Sequence, residues 1–148
     1  MLNVEVQYAV SNMDVPQEEQ FQQWSTVIPT EKDTQQEVSI RVVEEDEIAE
    51  LNLRFRKKKG STNVLAFPAE YPPGVELNFI GDIVICAPVV IKQAQDQGKL
   101  LESHWAHMTL HGILHLQGYD HIDEHEANIM EALEVQLMTK LGYPNPYS

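Results

Sequence analysis

Three histidines in HGILHLQGYDH, from His111 to His121, restrict this chain more than any other stretch. His111 and His115 stand one helical turn apart, so both rings leave the same helix face with roughly 5–6 Å between their Cβ atoms. Gly118 then ends the helix, because glycine enters the left-handed conformation without steric cost, and three further residues return His121 toward the first two rings. The expectation is a helix, a reversal and three imidazoles around one metal ion. His107 and His104 continue the stripe upstream, but His107 lies eight residues before His115, about 12 Å along the axis at 1.5 Å per residue. Zinc–nitrogen bonds are only about 2.0–2.1 Å, which makes His121 and not His107 the third ligand.

Zinc proteases of the HExxHxxGxxH type place histidines and glycine at the same offsets, and use a glutamate directly after the first histidine to take a proton from the metal-bound water. Gly112 occupies that position here. Three neutral imidazoles leave a dication uncompensated and one coordination position open, the arrangement of a catalytic site rather than a closed structural one. Hydrolysis stays available, since such an ion lowers the pKa of its water to about 7, while peptide-bond chemistry loses its usual base.

A chain of 148 residues reads as one domain, residues 1–148. That size buries about 68–70% of the unfolded surface and needs no covalent staple. Cys86, the single cysteine, excludes an internal disulfide and sits in a strand-like stretch, DIVICAP, as a small core residue rather than a ligand. No apolar run approaches the roughly 18 residues of a membrane span, and MLNVEVQYAV lacks a basic region before an apolar one, so neither secretion by a visible signal nor membrane embedding is expected.

The formal charge of −13 argues at first against a polyanionic partner. Its distribution points the other way. Five of the ten Lys and Arg residues fall between Arg54 and Lys59, in RFRKKK, while the segment after Gly118 is strongly acidic. Such a run is either a solvated face or a phosphate-binding one.

In chain order, NVEVQYAV (3–10) alternates as a half-buried strand, and Asp14 with Pro16 predicts the start of a helix carrying Phe21, Trp24, Val27 and Ile28. EVSIRVVE (37–44) is a second strand, followed by an acid-started helix with Ile48, Leu51 and Phe55 on one side that ends in the basic run. STNVLAFP gives a short third strand stopped by Pro68, and AEYPPGVE a flap or long connection. NFIGDIVICA (78–87) is the fourth strand, Pro88 opens a helix ending near Gly98, and two helices follow, about 102–117 and 123–141. The order predicts an α+β domain with a mixed sheet of about four strands packed with helices, and the metal site at the end of a C-terminal helix.

These segments, in this order, resemble the YbeY family of bacterial endoribonucleases involved in ribosomal RNA maturation. The resemblance rests on LNLRFRKKKGSTNVLAFP (51–68), GDIVIC (81–86) and HWAHMTLHGILHLQGYDH (104–121), and covers nearly the whole chain. It implies one Zn²⁺ ion held by His111, His115 and His121, hydrolysis of single-stranded RNA, and an arginine important for RNA processing at Arg56. It further implies work on the 3′ end of small-subunit ribosomal RNA and in ribosome quality control, with ribosomal or small-subunit proteins as partners, no membrane or DNA partner, and a cytoplasmic location. Many relatives have aspartate where this chain has Asn63 and serine where it has Ala66, so Asn63 receives no catalytic role.

Phosphodiester hydrolysis suits this inventory better than proteolysis, because a metal polarises the phosphoryl oxygen and a guanidinium such as Arg56 pairs with the nonbridging oxygens as charge builds. Asp82 and Asp120 are further carboxylates, each suited to stabilising a turn or orienting a histidine. His107 reads as a partner beside the site or a packed helix residue, His104 and His125 as surface residues, and Met108, Met130 and Met138 as packing. The competing expectations are a non-enzymatic ribosome-assembly factor with structural zinc, favoured by a fourth protein ligand, and a metalloprotease-like hydrolase, opposed by Gly112.

Overall fold

Alternation in LNVEVQY forms the first strand of the computed structural model, which describes residues 1–31 and 34–148. β1 (Leu2–Tyr8), α1 (Glu18–Ser25), β2 (Gln36–Val43), α2 (Glu45–Arg56), β3 (Val64–Pro68), β4 (Phe79–Cys86), α3 (Ala87–Asp96), α4 (Leu101–Leu116) and α5 (Glu124–Lys140) follow in order. The strands make one mixed sheet in the order β1-β2-β4-β3, with β1, β2 and β4 parallel and β3 antiparallel to β4. Parallel neighbours need crossovers, and α1 and α2 lie in the two connections that supply them. Pro68 is tolerated because β3 is an edge strand.

Side chains alternate across the sheet, and so do its two cores. Val38, Ile40, Val42, Ile83 and Ile85 point to the face where α1, α4 and α5 contribute Phe21, Trp24, Trp105, Ile113, Leu114 and Met138. Val43, Val84 and Cys86 point the other way, onto Ile48 of α2 and Leu65 of β3. Cys86 is the buried core residue that its setting predicts. The expected fold class is the observed one.

The first helix departs from its expected span at both ends, stopping at Ser25 and so short of Val27 and Ile28. It begins at Glu18, not at Asp14–Pro16. Pro16 lies before the helix, with its carbonyl accepting from Tyr8 Oη at 2.6 Å, and the later start lets α1 side chains close the open edge of β1. Glu18 accepts from Val6 N, while the Gln22 amide accepts from Val4 N and donates to Leu2 O. Backbone groups that would otherwise form an unprotected sheet edge are thereby capped. Phe55 does not join Ile48 in the core: it is 55% exposed, its ring edge-on to Phe67 at 5.4 Å with the Arg54 guanidinium above it.

The connection 69–78 is tied down at several points. Ala69 N donates to Ile80 O, Val75 N to Pro72 O, and Tyr71 Oη to Phe79 O.

Candidate metal centre

α4 carries the first two rings to a Schellman-type ending. Gly118 N donates to His115 O and Tyr119 N to Leu114 O, and Gly118 takes the positive φ, +102°, that this reversal requires. Asp120 then accepts from His121 N at 2.8 Å, a local turn interaction, and Asp123 caps α5 by accepting from Glu126 N. The chain therefore doubles back within a few residues. Ligand atoms of His111, His115 and His121 lie within 4.8 Å of one another. His111 Nε2 and His115 Nε2 are 3.1 Å apart, and the His121 ring centroid is 5.0 Å from that of His115 and 5.6 Å from that of His111.

The donor set suits a borderline dication such as zinc, for which imidazole nitrogen is a common ligand. Burial holds the His115 ring below the ordinary histidine range, and repulsion from His111 and His121 adds to this, outweighing Asp120 and the Tyr119 backbone. A neutral ring is the ligand form. Among the described residues, no fourth side chain joins this group.

The rings open onto a cleft of about 550 Å³ between α4 and β3, whose other walls include Arg56, Lys58, Asn63 and Tyr119. Arg56 is brought there by the end of α2. Lys57 takes a left-handed conformation, φ +58°, and Asn52, buried in α2, pins the basic loop: its carbonyl accepts from Lys58 N and its side-chain amide donates to Gly60 O. Lys57 and Lys59 do not line the cleft. A larger groove of about 720 Å³ adjoins, sharing Pro68 and Tyr119 but none of the histidines.

Asn63 is hydrogen-bonded at both ends of its amide, its Oδ1 accepting from Val64 N and its Nδ2 donating to Gln93 Oε1. The same Gln93 oxygen accepts from His104 Nε2 at 2.8 Å. His104 is thus buried, 4% exposed, and not a surface residue; α3 packs over it, which its place in the sequence did not signal. His125 is exposed, as expected. Asp82 is exposed on β4 opposite Phe67 and outside the cleft.

Behind the rings stands a residue that sequence reasoning missed. Glu134 of α5 is fully buried, its Oε2 2.5 Å from His107 Nε2 and 3.1 Å from His111 Nδ1, while its Oε1 accepts from Tyr147 Oη at 2.8 Å. Burial pushes its pKa up, but the hydrogen bonds from His107 and His111 prevail and hold it down at about 2. Its signal in the sequence was a carboxylate inside the apolar stripe Met130, Leu137 and Met138. His107, His111 and Glu134 form a second group with ligand atoms within 4.8 Å, sharing His111 with the first.

No helix among the described residues is long and apolar enough to cross a membrane. The solution structure of TM1509 from Thermotoga maritima shares the fold, with a TM-score of 0.59 and 23% identity over 95% of this chain and 91% of that one. The family model described as Endoribonuclease YbeY matches residues 5–142, taking in the basic loop, β3, β4, all three cleft histidines and Glu134. With that match spanning most of its length, the chain belongs to the YbeY endoribonuclease family.

Proposed function

We propose that residues 1–148 act as one zinc-dependent endoribonuclease domain specific for single-stranded RNA, serving ribosomal RNA processing at the 3′ end of the small-subunit RNA and ribosome quality control in the cytoplasm. Ribosomal RNA and small-subunit proteins are its partners in this reading. The observation that carries it is that three imidazoles and Arg56 line one cleft.

His111, His115 and His121 would hold the zinc ion, which when bound supplies Lewis acidity toward a phosphoryl oxygen and a water of lowered pKa. Arg56 reaches the same space and pairs its N–H groups with nonbridging phosphate oxygens, stabilising the charge that builds on them. Lys58 adds a second positive charge on the same wall. The Asn63 amide is hydrogen-bonded at both ends, and an amide is no base, so proton transfer does not fall to it. The absence of a fourth side chain from the three-histidine group among the described residues favours an enzyme over an assembly factor with a closed structural zinc.

The test is cleavage of a labelled single-stranded RNA by zinc-quantified protein, beside an unstructured protein substrate, with His115→Ala and Arg56→Ala purified identically. Cleavage of RNA alone, lost in both folded variants, is the expected result. RNA that survives, or is cut equally by all three proteins, would return the chain to the assembly-factor reading.

A further inference from the structure

The Glu134 carboxylate receives three donors and has no solvent exposure. Its geometry fixes proton positions on the rings it touches. A carboxylate only accepts, so His107 Nε2 and His111 Nδ1 must both carry hydrogen. His107 Nδ1 is buried and makes no hydrogen bond of its own, so the bond to Glu134 alone fixes the polar edge of that ring. For His111 the consequence reaches the site. With hydrogen on Nδ1, its Nε2 carries the lone pair, and that nitrogen is the one 3.1 Å from His115 Nε2.

We propose that Glu134 is a positioning residue of the metal centre, holding the His111 ring by Nδ1–H so that Nε2 is presented to the ion, with His107 and Tyr147 fixing the carboxylate in turn. This rests on the zinc reading above. A buried anion beside the ligand also offsets part of the dication's charge, which three neutral imidazoles leave uncompensated. Tyr147 matters because it holds the oxygen that the histidines do not use. Its ring also meets the His107 ring edge-on at 5.3 Å, and with His111 and His121 it closes a cavity of about 190 Å³ against α5.

The rival reading of the same atoms is a second metal site made by His107, His111 and Glu134. It fits less well. The separations of 2.5 and 3.1 Å are those of hydrogen bonds with a proton between the atoms, and an ion there would have to displace the His111 proton and make one imidazolate bridge two cations.

The experiment uses the full chain, stripped of metal and titrated with Zn²⁺ against a chromophoric chelator, and then loaded with Co²⁺ for its visible absorption spectrum. Wild type, Glu134→Gln and Tyr147→Phe are compared, with circular dichroism of each apo protein as the check on folding. Expected are one ion per wild-type chain, a Zn²⁺ affinity about 10- to 100-fold lower in Glu134→Gln, a loss of a few-fold in Tyr147→Phe, and a changed Co²⁺ spectrum in Glu134→Gln. If Glu134→Gln does not fold, Tyr147→Phe decides, since it removes a single hydroxyl. Wild-type affinity and an unchanged spectrum in the folded variants would overturn the positioning role and leave the zinc reading intact. Two ions per wild-type chain would overturn it in favour of the second site, and a wild type that binds no Zn²⁺ would overturn both readings.

Discussion

Gly112 of α4 packs so closely on Ile83 of β4 that a Cβ at position 112 would fall 2.8 Å from Ile83 Cγ2 and 3.1 Å from its Cδ1. Ile83 is fully buried and β-branched, so its methyl cannot swing away cheaply. The position that carries glutamate in zinc proteases is thus the point where this helix lies flush on the sheet. Gly112→Ala is expected to destabilise the protein by up to about 2 kcal/mol, an overpacking cost of about 1–3 kcal/mol less the roughly 1 kcal/mol that alanine's higher helix propensity returns. Urea unfolding with chelator present measures it. In an Ile83→Ala background the same change should cost nothing; an equal cost in both backgrounds would show that crowding against Ile83 is not the cause.

The basic loop leads to a prediction about salt. Of Lys57, Lys58 and Lys59 only Lys58 lines the cleft, yet all three are exposed in a loop whose first residues Asn52 anchors. Replacing all three with alanine should lower the slope of log affinity against log salt for single-stranded RNA by about 0.7 for each phosphate that these lysines neutralise, with zinc content unchanged. A slope equal to wild type would make the run a solvated face.

Asp123 supplies a stability test of the element that carries Glu134. Its carboxylate accepts from Glu126 N at 2.8 Å, and among the described residues no other side chain caps this helix start. Asp123→Ala should cost about 1 kcal/mol and Asp123→Asn much less, since asparagine caps nearly as well. Equal decreases in denaturant midpoint for the two variants would mean that the cap is not what the aspartate provides.

The parts of this molecule that were legible in the sequence are those set by local rules. His111, His115 and Gly118 declare themselves because helix period and left-handed glycine act within a few residues, and the strands by their alternation. Glu134 and Tyr147 reach His107 and His111 only because α5 and the segment after it dock on α4; the apolar stripe of α5 marks a docking face but not the partner that face meets. His104 was misread for the same reason, its burial being the work of α3. Phe55 has helical spacing with Ile48 and Leu51 but lies at the end of α2, beyond the edge of the sheet's second core, and finds Phe67 instead.

That burial of His104 gives the fold a pH dependence. Its pKa is lowered to about 4, chiefly by burial, then by the neighbouring charges of His107 and Lys99. Nε2 donates to Gln93 and Nδ1 lies buried without a partner, so the added proton would have nowhere to donate. The unfolded chain takes up a proton near the ordinary value of 6.5, the folded chain only near 4. Below pH 6.5 the unfolded state therefore binds more protons, and stability falls as pH falls: this contribution is intact above pH 6.5 and is lost between there and about 4, roughly 3 kcal/mol in all at about 1.4 kcal/mol per unit. His104→Gln keeps a donor to Gln93 and removes the titration. Urea unfolding at pH 7, 6 and 5, with chelator present so that metal loss does not contribute, should give a flatter profile for this variant than for wild type. Parallel profiles would place the acid sensitivity at other groups.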